Sequence, residues 1–215
     1  MNYFITGGTG FIGTHLTKLL NELHPEAKVY NLDIVKPGTP LPTVKDYKSP
    51  LKEGETVKAE FIYCDVRKPL ELNVPVSSED IIFNFAAVHR TPGHPDYEYF
   101  ETNIRGAENV CAFAEKHGIK KIVFTSSIAP YGAAEELKEE TTLPTPNTPY
   151  GISKLVAEKI HTIWQAKNEK ERQLTIVRPG VVFGKGENGN FTRLYWAIRG
   201  HKFAYPGRKD TIKAC

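Results

Sequence analysis

Tyr150 and Lys154 stand four residues apart in Tyr150-Gly151-Ile152-Ser153-Lys154, a spacing that stacks both side chains on one helix face. A phenol with an unperturbed pKa near 10 is a poor base at neutral pH. An ammonium beside it favours the phenolate. Moving the phenol by ~3 units takes ~4 kcal/mol, which a close lysine and a second positive charge could supply jointly. The pair can then take a proton from a hydroxyl or return it to a ketone. Tyr-x-x-x-Lys also occurs by chance in many helices, so it needs context.

That context lies at the start of the chain. Phe4-Ile5-Thr6-Gly7-Gly8-Thr9-Gly10-Phe11-Ile12-Gly13 carries glycines at 7, 10 and 13 between a strand pattern and a helix pattern. Gly7 permits a tight turn, Gly10 lets the backbone approach a pyrophosphate, and Gly13 lets helix pack on strand. The helix N-terminus then meets the phosphates with free N–H groups and its positive dipole end. Asp33 follows about 20 residues later, at the end of the second strand, where a carboxylate bonds the adenosine ribose. It would repel a 2′-phosphate, and no arginine follows it directly. NAD is therefore expected over NADP.

These groups need a frame. Apolar runs at 3–6, 29–33, 61–63, 81–86, 122–125 and 174–178 predict strands. Most are continuous rather than alternating, as in a sheet covered on both faces. Helical spacing appears over 11–23, 97–117 and 150–167, the second stopping at Gly118. The alternation predicts an α/β fold, a doubly wound parallel sheet flanked by helices. Residues 36–58 carry Pro37, Pro40, Pro42 and Pro50 with little apolar period, and read as an irregular surface excursion.

Composition excludes several classes. The 215 residues suffice for one α/β domain and a small appendage, with a core needing no staples. Cys64, Cys111 and Cys215 lie far apart with no CxxC or Cys/His pairing, so neither a metal nor a disulfide framework is expected, and a reducing compartment is. The net charge of +3 is scattered, unlike the clustered basic face of a nucleic-acid binder. No apolar run reaches membrane length, and Asn2 to Thr6 run straight into a strand pattern with no signal segment before it. A soluble, cytoplasmic protein is expected.

The ordered motifs now define a resemblance. Thr6 to Gly13, Asp65-Val66, Asn84-Phe85-Ala86-Ala87, Thr125-Ser126-Ser127 with Tyr131-Gly132, Tyr150 to Lys154, and Arg178-Pro179-Gly180-Val181-Val182-Phe183-Gly184 together resemble the extended short-chain dehydrogenase/reductases, in particular their NAD-dependent nucleotide-sugar epimerase and dehydratase group. The resemblance implies a Rossmann-type NAD domain over 1–180 and the incomplete start of a substrate lobe over 181–215. It implies a catalytic set of Ser127, Tyr150 and Lys154, with Ser127 bonding the reacting sugar oxygen and Lys154 also holding the nicotinamide ribose. It further places Gly7, Gly10, Phe11, Ile12, Gly13, Asp33, Asp65, Val66, Phe85, Ala86, Ala87, Asn103, Thr125, Tyr150, Pro179 and Val182 along the cofactor. Asp65 and Val66 would hold the adenine, and Pro179 and Val182 would pack near the carboxamide. His89 and Arg90, in a substrate-facing loop, and Asn190, at the start of the lobe, would join Ser127 and Tyr150 on the sugar nucleotide, a UDP- or dTDP-sugar.

Three reactions share this apparatus. A dehydratase of this group carries an Asp-Glu pair where this chain has Ser127-Ile128-Ala129-Pro130, and a reductase would more often use NADPH, which Asp33 disfavours. A 4-epimerase remains. The family also pairs the helices at 97–117 and 150–167 across a homodimer. An arginine often binds phosphate near the position of Lys213, and the chain stops at Cys215 inside the family's substrate lobe. A truncated NAD-binding module with little turnover is the alternative.

Overall fold

The computed structural model describes residues 1–37, 56–89, 93–134, 136–184, 186–187, 189–204 and 207. Six parallel strands form one sheet in the order β3-β2-β1-β4-β5-β6. They are β1 (Asn2–Thr6), β2 (Lys28–Asp33), β3 (Glu60–Tyr63), β4 (Ile81–Asn84), β5 (Lys121–Thr125) and β6 (Gln173–Val177). Strand order reverses between β1 and β4, so the connections leaving these two diverge and open a crevice at their carboxyl ends.

The sheet is covered on both faces, which explains the continuous apolar runs. On one face Phe4, Tyr30, Leu32, Ile82 and Ile122 pack against Val110, Phe113, Ala114 and Trp164 of the helices α3 (Arg105–Lys116) and α4 (Pro149–Ala166). On the other, Tyr3, Ile5 and Val29 meet Leu20 of α1 (Phe11–Leu23). Burying one such side chain stabilises by about 1.5–3 kcal/mol, so this core dominates the fold.

Local rules set the helix ends. Thr148 caps α4, its hydroxyl accepting from the Gly151 N–H at 3.0 Å, and Pro149 occupies the first turn where a missing N–H costs nothing. α3 stops at Gly118, whose φ of +67° lets the Ile119 N–H return to the Ala114 carbonyl at 2.9 Å.

The structure departs from the sequence expectation in three places. The helix expected over 97–117 is α2 (Asp96–Tyr99), one π turn (Phe100–Ile104) and α3, because Asn103 is drawn off the regular ladder by polar partners at the site. The strand expected over 81–86 leaves the sheet after Asn84, where the Phe85 N–H bonds the Thr6 carbonyl and the Ala86 N–H bonds the Thr6 hydroxyl. A fifth helix, α5 (Asn190–Arg199), forms where only the start of a lobe was expected. Of the excursion read over 36–58, residues 38–55 lie outside the described residues; beyond them the Lys58 N–H bonds the Asn21 side chain at 2.7 Å.

Candidate active site

The glycine turn joins β1 to α1 at the crevice. Gly7 has φ +67°, and a Cβ there would lie 2.8 Å from the Ala86 nitrogen, so the turn lies flush on the chain leaving β4. At Gly13 a Cβ would sit 2.6 Å from the Gly8 Cα, which is the close helix-on-turn packing that the spacing predicts. Gly10 is the N-cap of α1 and supplies no side-chain cap, which leaves the first turn's N–H groups to an anion. Phe11 and Ile12 open that turn half-exposed.

Asp33, at the end of β2, reaches back over this turn. One of its oxygens accepts from the Thr9 N–H at 3.1 Å and the Thr9 hydroxyl at 2.8 Å; the other accepts from the Val35 N–H at 3.1 Å. The carboxylate is thus fixed at the mouth of the turn with lone pairs left for ribose hydroxyls. Beyond β3, Asp65 forms a two-pronged pair with Arg67 at 2.7–3.1 Å, and this hydrogen bonding holds its carboxyl below the usual range. Val66 is buried, and its carbonyl accepts from Asn109 on α3 at 2.8 Å. A Cβ on Gly106 would touch the Val66 side chain at 3.0 Å, so glycine there lets α3 lie close against this loop.

Phe85, Ala86 and Ala87 run half-buried past the glycine turn. Asn103, on the π turn, clamps the next residue from both sides: its amide oxygen accepts from the Val88 N–H at 2.9 Å, while its NH2 donates to the Val88 carbonyl at 3.1 Å and to Ser153 Oγ at 2.8 Å. Both donors are used, and the loop after β4 is tied to α4.

Helix α4 brings the chemistry together with the end of β5. The Tyr150 phenol is largely buried and accepts a hydrogen bond from Ser127, whose Oγ also receives the Ala129 N–H at 3.1 Å. The Lys154 ammonium is buried, donates to the Thr125 carbonyl at 2.7 Å and lies 4.9 Å from the centre of the Phe124 ring. Burial lowers Lys154 to about 7, against a smaller opposing pull from Glu158. Here the geometry corrects an expectation. The spacing predicted that the ammonium would depress the phenol, but burial instead raises Tyr150, and the opposing influence is the Ser127 hydrogen bond. The lysine is committed to the strand end at Thr125, because four residues along a helix bring two side chains near without turning one toward the other.

The remaining candidates line the rim. Pro179 offers its carbonyl to the Ile128 N–H at 3.2 Å, and Val182 is exposed. His89 is exposed in the segment that follows β4. Arg90 and Lys213 lie outside the described residues, as does the side chain of Asn190, whose backbone begins α5.

One buried network had been assigned no role. Glu158, two turns after Tyr150, accepts from Ser126 Oγ at 2.5 Å and grips Arg178 through both oxygens at 2.8 and 2.6 Å. Arg178 continues to the Tyr131 hydroxyl at 2.6 Å, and hydrogen bonding to Glu158 raises its pKa further. A second chain runs from Thr6 Oγ1 to Asn84 at 2.7 Å and from the Asn84 amide to His161 at 3.2 Å. His161 meets the Ala157 carbonyl through Nδ1 at 2.8 Å, stacks on Phe124, and is lowered by burial to about 4. The four-residue continuation Tyr150, Lys154, Glu158 was the available signal for the first network. His161 and Asn84 carried none, since an apolar helix face tolerates a satisfied histidine.

Among the described residues no group of three or more His, Cys, Asp or Glu could hold a metal ion, and no helix is long and apolar enough to cross a membrane.

Residues 3–201 match the NAD dependent epimerase/dehydratase family. The chain belongs to that family. One relative, the N-acetyl-alpha-D-glucosaminyl-diphospho-ditrans,octacis-undecaprenol 4-epimerase of Escherichia coli O157:H7, is 33% identical over 99% of this chain and 58% of its own length. The bifunctional UDP-glucose 4-epimerase and UDP-xylose 4-epimerase 1 of Pisum sativum is 32% identical over 86% of this chain and 53% of its own. Among solved structures, MoeE5 in complex with UDP-glucuronic acid and NAD superposes with a TM-score of 0.70 at 27% identity, covering 93% of this chain and 62% of that one. A UDP-galactose 4-epimerase superposes at 0.73 and 24% identity over 94% of this chain and 64% of that one, a likeness of fold. The chain thus spans little more than half the length of the family members it matches.

Proposed function

We propose that this chain binds NAD across the carboxyl ends of the sheet and carries the catalytic half of a nucleotide-sugar 4-epimerase. The observation that carries the reading is the convergence of Ser127, Tyr150 and Lys154 at the end of β5, beside the crevice that the glycine turn floors. The turn suits a dinucleotide: glycine at 7 and 13 lets it lie flush against the chain leaving β4 and against α1, the first turn of α1 keeps its N–H groups for an anion, and Asp33 stands beside it. We place Gly7, Gly10, Phe11, Ile12 and Gly13 on the pyrophosphate, and Asp33 on the ribose. Asp65 and Val66 take the adenine. Phe85, Ala86 and Ala87, held by Asn103 through Val88, line the path, with Thr125, Lys154, Pro179 and Val182 toward the nicotinamide. When bound, NAD supplies the reversible acceptance of hydride from the sugar carbon, and its positive ring adds to the field at Tyr150.

The chain's own groups manage the proton. Ser127 hydrogen-bonds the sugar oxygen that must lose or regain its proton, and Tyr150 is the group that takes and returns it. Lys154, which donates to the Thr125 carbonyl, is left to hold the nicotinamide ribose, and among the chain's own groups it is the Ser127 hydrogen bond that favours the phenolate. Ser127-Ile128-Ala129-Pro130 offers no second acid for elimination, which supports epimerisation over dehydration.

The test is incubation with NAD and UDP-hexoses. Interconversion of C4 epimers, abolished in Tyr150→Phe with NAD binding retained, is expected. NAD binding without conversion in the wild type would favour a cofactor-binding module instead. A second reading rests on the E. coli relative aligned over 99% of this chain: the diphosphate carries a polyprenol rather than a nucleoside. Chemistry at C4 is the same, and offering both N-acetylglucosaminyl carriers tells them apart. We further place the protein in the cytoplasm, serving cell-surface polysaccharide supply, as a homodimer through helices 97–117 and 150–167.

A further inference from the structure

Three consecutive residues at the end of β5 meet three successive turns of α4. Thr125 receives Lys154, Ser126 meets Glu158 and Ser127 meets Tyr150. Two of those helix residues are the proposed chemistry; the third, Glu158, is 2% exposed and touches neither the crevice nor solvent. Its two oxygens hold Arg178, the residue following β6, and Arg178 holds Tyr131 on the turn (Ala129–Tyr131) that follows Ser127. A buried pair is costly to form and often no better for stability than apolar packing. Here it lies one helical turn below Lys154, joining α4 to the ends of both β5 and β6.

We propose that Glu158 is a positioning residue: it fixes the height of α4 on the strand ends so that Tyr150 meets Ser127, and its charge holds Lys154 as an ammonium in an apolar pocket. Charged or titratable groups on the elements packed around Lys154 are Tyr150, Glu158 and His161 on its own helix, Tyr131 on the turn after β5, Arg178 after β6, and Tyr99 on α2, whose ring faces Tyr150 at 6.3 Å. His161 is neutral above about 4, and Arg178, on the far side of its pair with Glu158, is not among the charges that shift Lys154, whereas Glu158 is. Glu158 is therefore the anion that answers the lysine, and burial otherwise favours the neutral amine.

The inference builds on the roles proposed for Tyr150 and Lys154, yet it can be tested without turnover. Lysine labelled with carbon-13 is titrated by NMR in the whole chain, the Lys154 signal being the one missing from Lys154→Met. In Glu158→Gln the Lys154 midpoint should fall by ~1 pH unit or more, while Glu158→Asp should keep it near the wild-type value. If Glu158→Gln does not fold, Glu158→Gln/Arg178→Met removes the stranded guanidinium and is read the same way, against Arg178→Met alone, whose midpoint should not fall. A folded charge-free variant with an unmoved Lys154 midpoint overturns the proposal, because a merely structural tie would lower melting and leave that titration alone. Failure of the wild type to bind NAD would remove the proposed function but leave this titration readable, so the two failures are distinct.

Discussion

At the scale of single residues, the site is governed by which charges are buried and what answers them. Asp33 is held at the turn by Thr9 and Val35, so its charge is fixed at the position where we propose that the adenosine ribose binds. Calorimetry should find NAD bound at least about tenfold more tightly than NADP, a difference of ~1.4 kcal/mol, and Asp33→Asn should narrow the gap; the reverse order would reject the assignment. His161 gives a pH signature. Its pKa is lowered from 6.5 to about 4, so the unfolded chain takes up a proton that the folded one refuses between those values. Stability is complete above 6.5 and lost as pH falls through this window, by about 3 kcal/mol. Urea unfolding of His161→Gln at both ends of the window should show that part of the acid loss removed.

At the scale of elements, α4 carries most of the site, and its seat is steric as well as polar. A Cβ on Gly151 would lie 2.7 Å from the Ala129 carbonyl oxygen, so the first turn of α4 rests directly on the turn that follows Ser127. Alanine usually helps a helix interior, but here overpacking should cost about 1–3 kcal/mol. Gly151→Ala is expected to melt several degrees lower and to lose sugar conversion while still binding NAD; a variant with wild-type turnover would disprove this seating. The element ends show where sequence reasoning reaches. The start of α1 and the stop of α3 follow from Gly10 and Gly118, which are local signals. The π turn was not legible, because Asn103 departs from the ladder only to reach Val88 and Ser153, distant in sequence.

At the scale of the whole molecule, the parallel sheet sets a crevice between β1 and β4, and all the proposed chemistry lies along its carboxyl edge. On the outer side of α4, Ile152 and Ile163 are exposed, at 40% and 60%. If helices 97–117 and 150–167 pair two copies, light scattering at micromolar concentration should give twice the mass of the chain, and Ile163→Lys should reduce it; a wild-type monomer would reject the dimer. What the sequence alone determined is local or periodic: the glycine turn, Asp33 after the second strand, the Tyr150–Lys154 spacing and the alternation that makes a doubly wound fold. Each needs only neighbours along the chain or a repeat of two or 3.6 residues. Tertiary structure alone decided which charges share a pocket. It turned Lys154 onto Thr125, raised the Tyr150 phenol, and joined Glu158 to Arg178 twenty residues away. Such outcomes depend on burial, and burial belongs to the packed molecule rather than to any stretch of the chain.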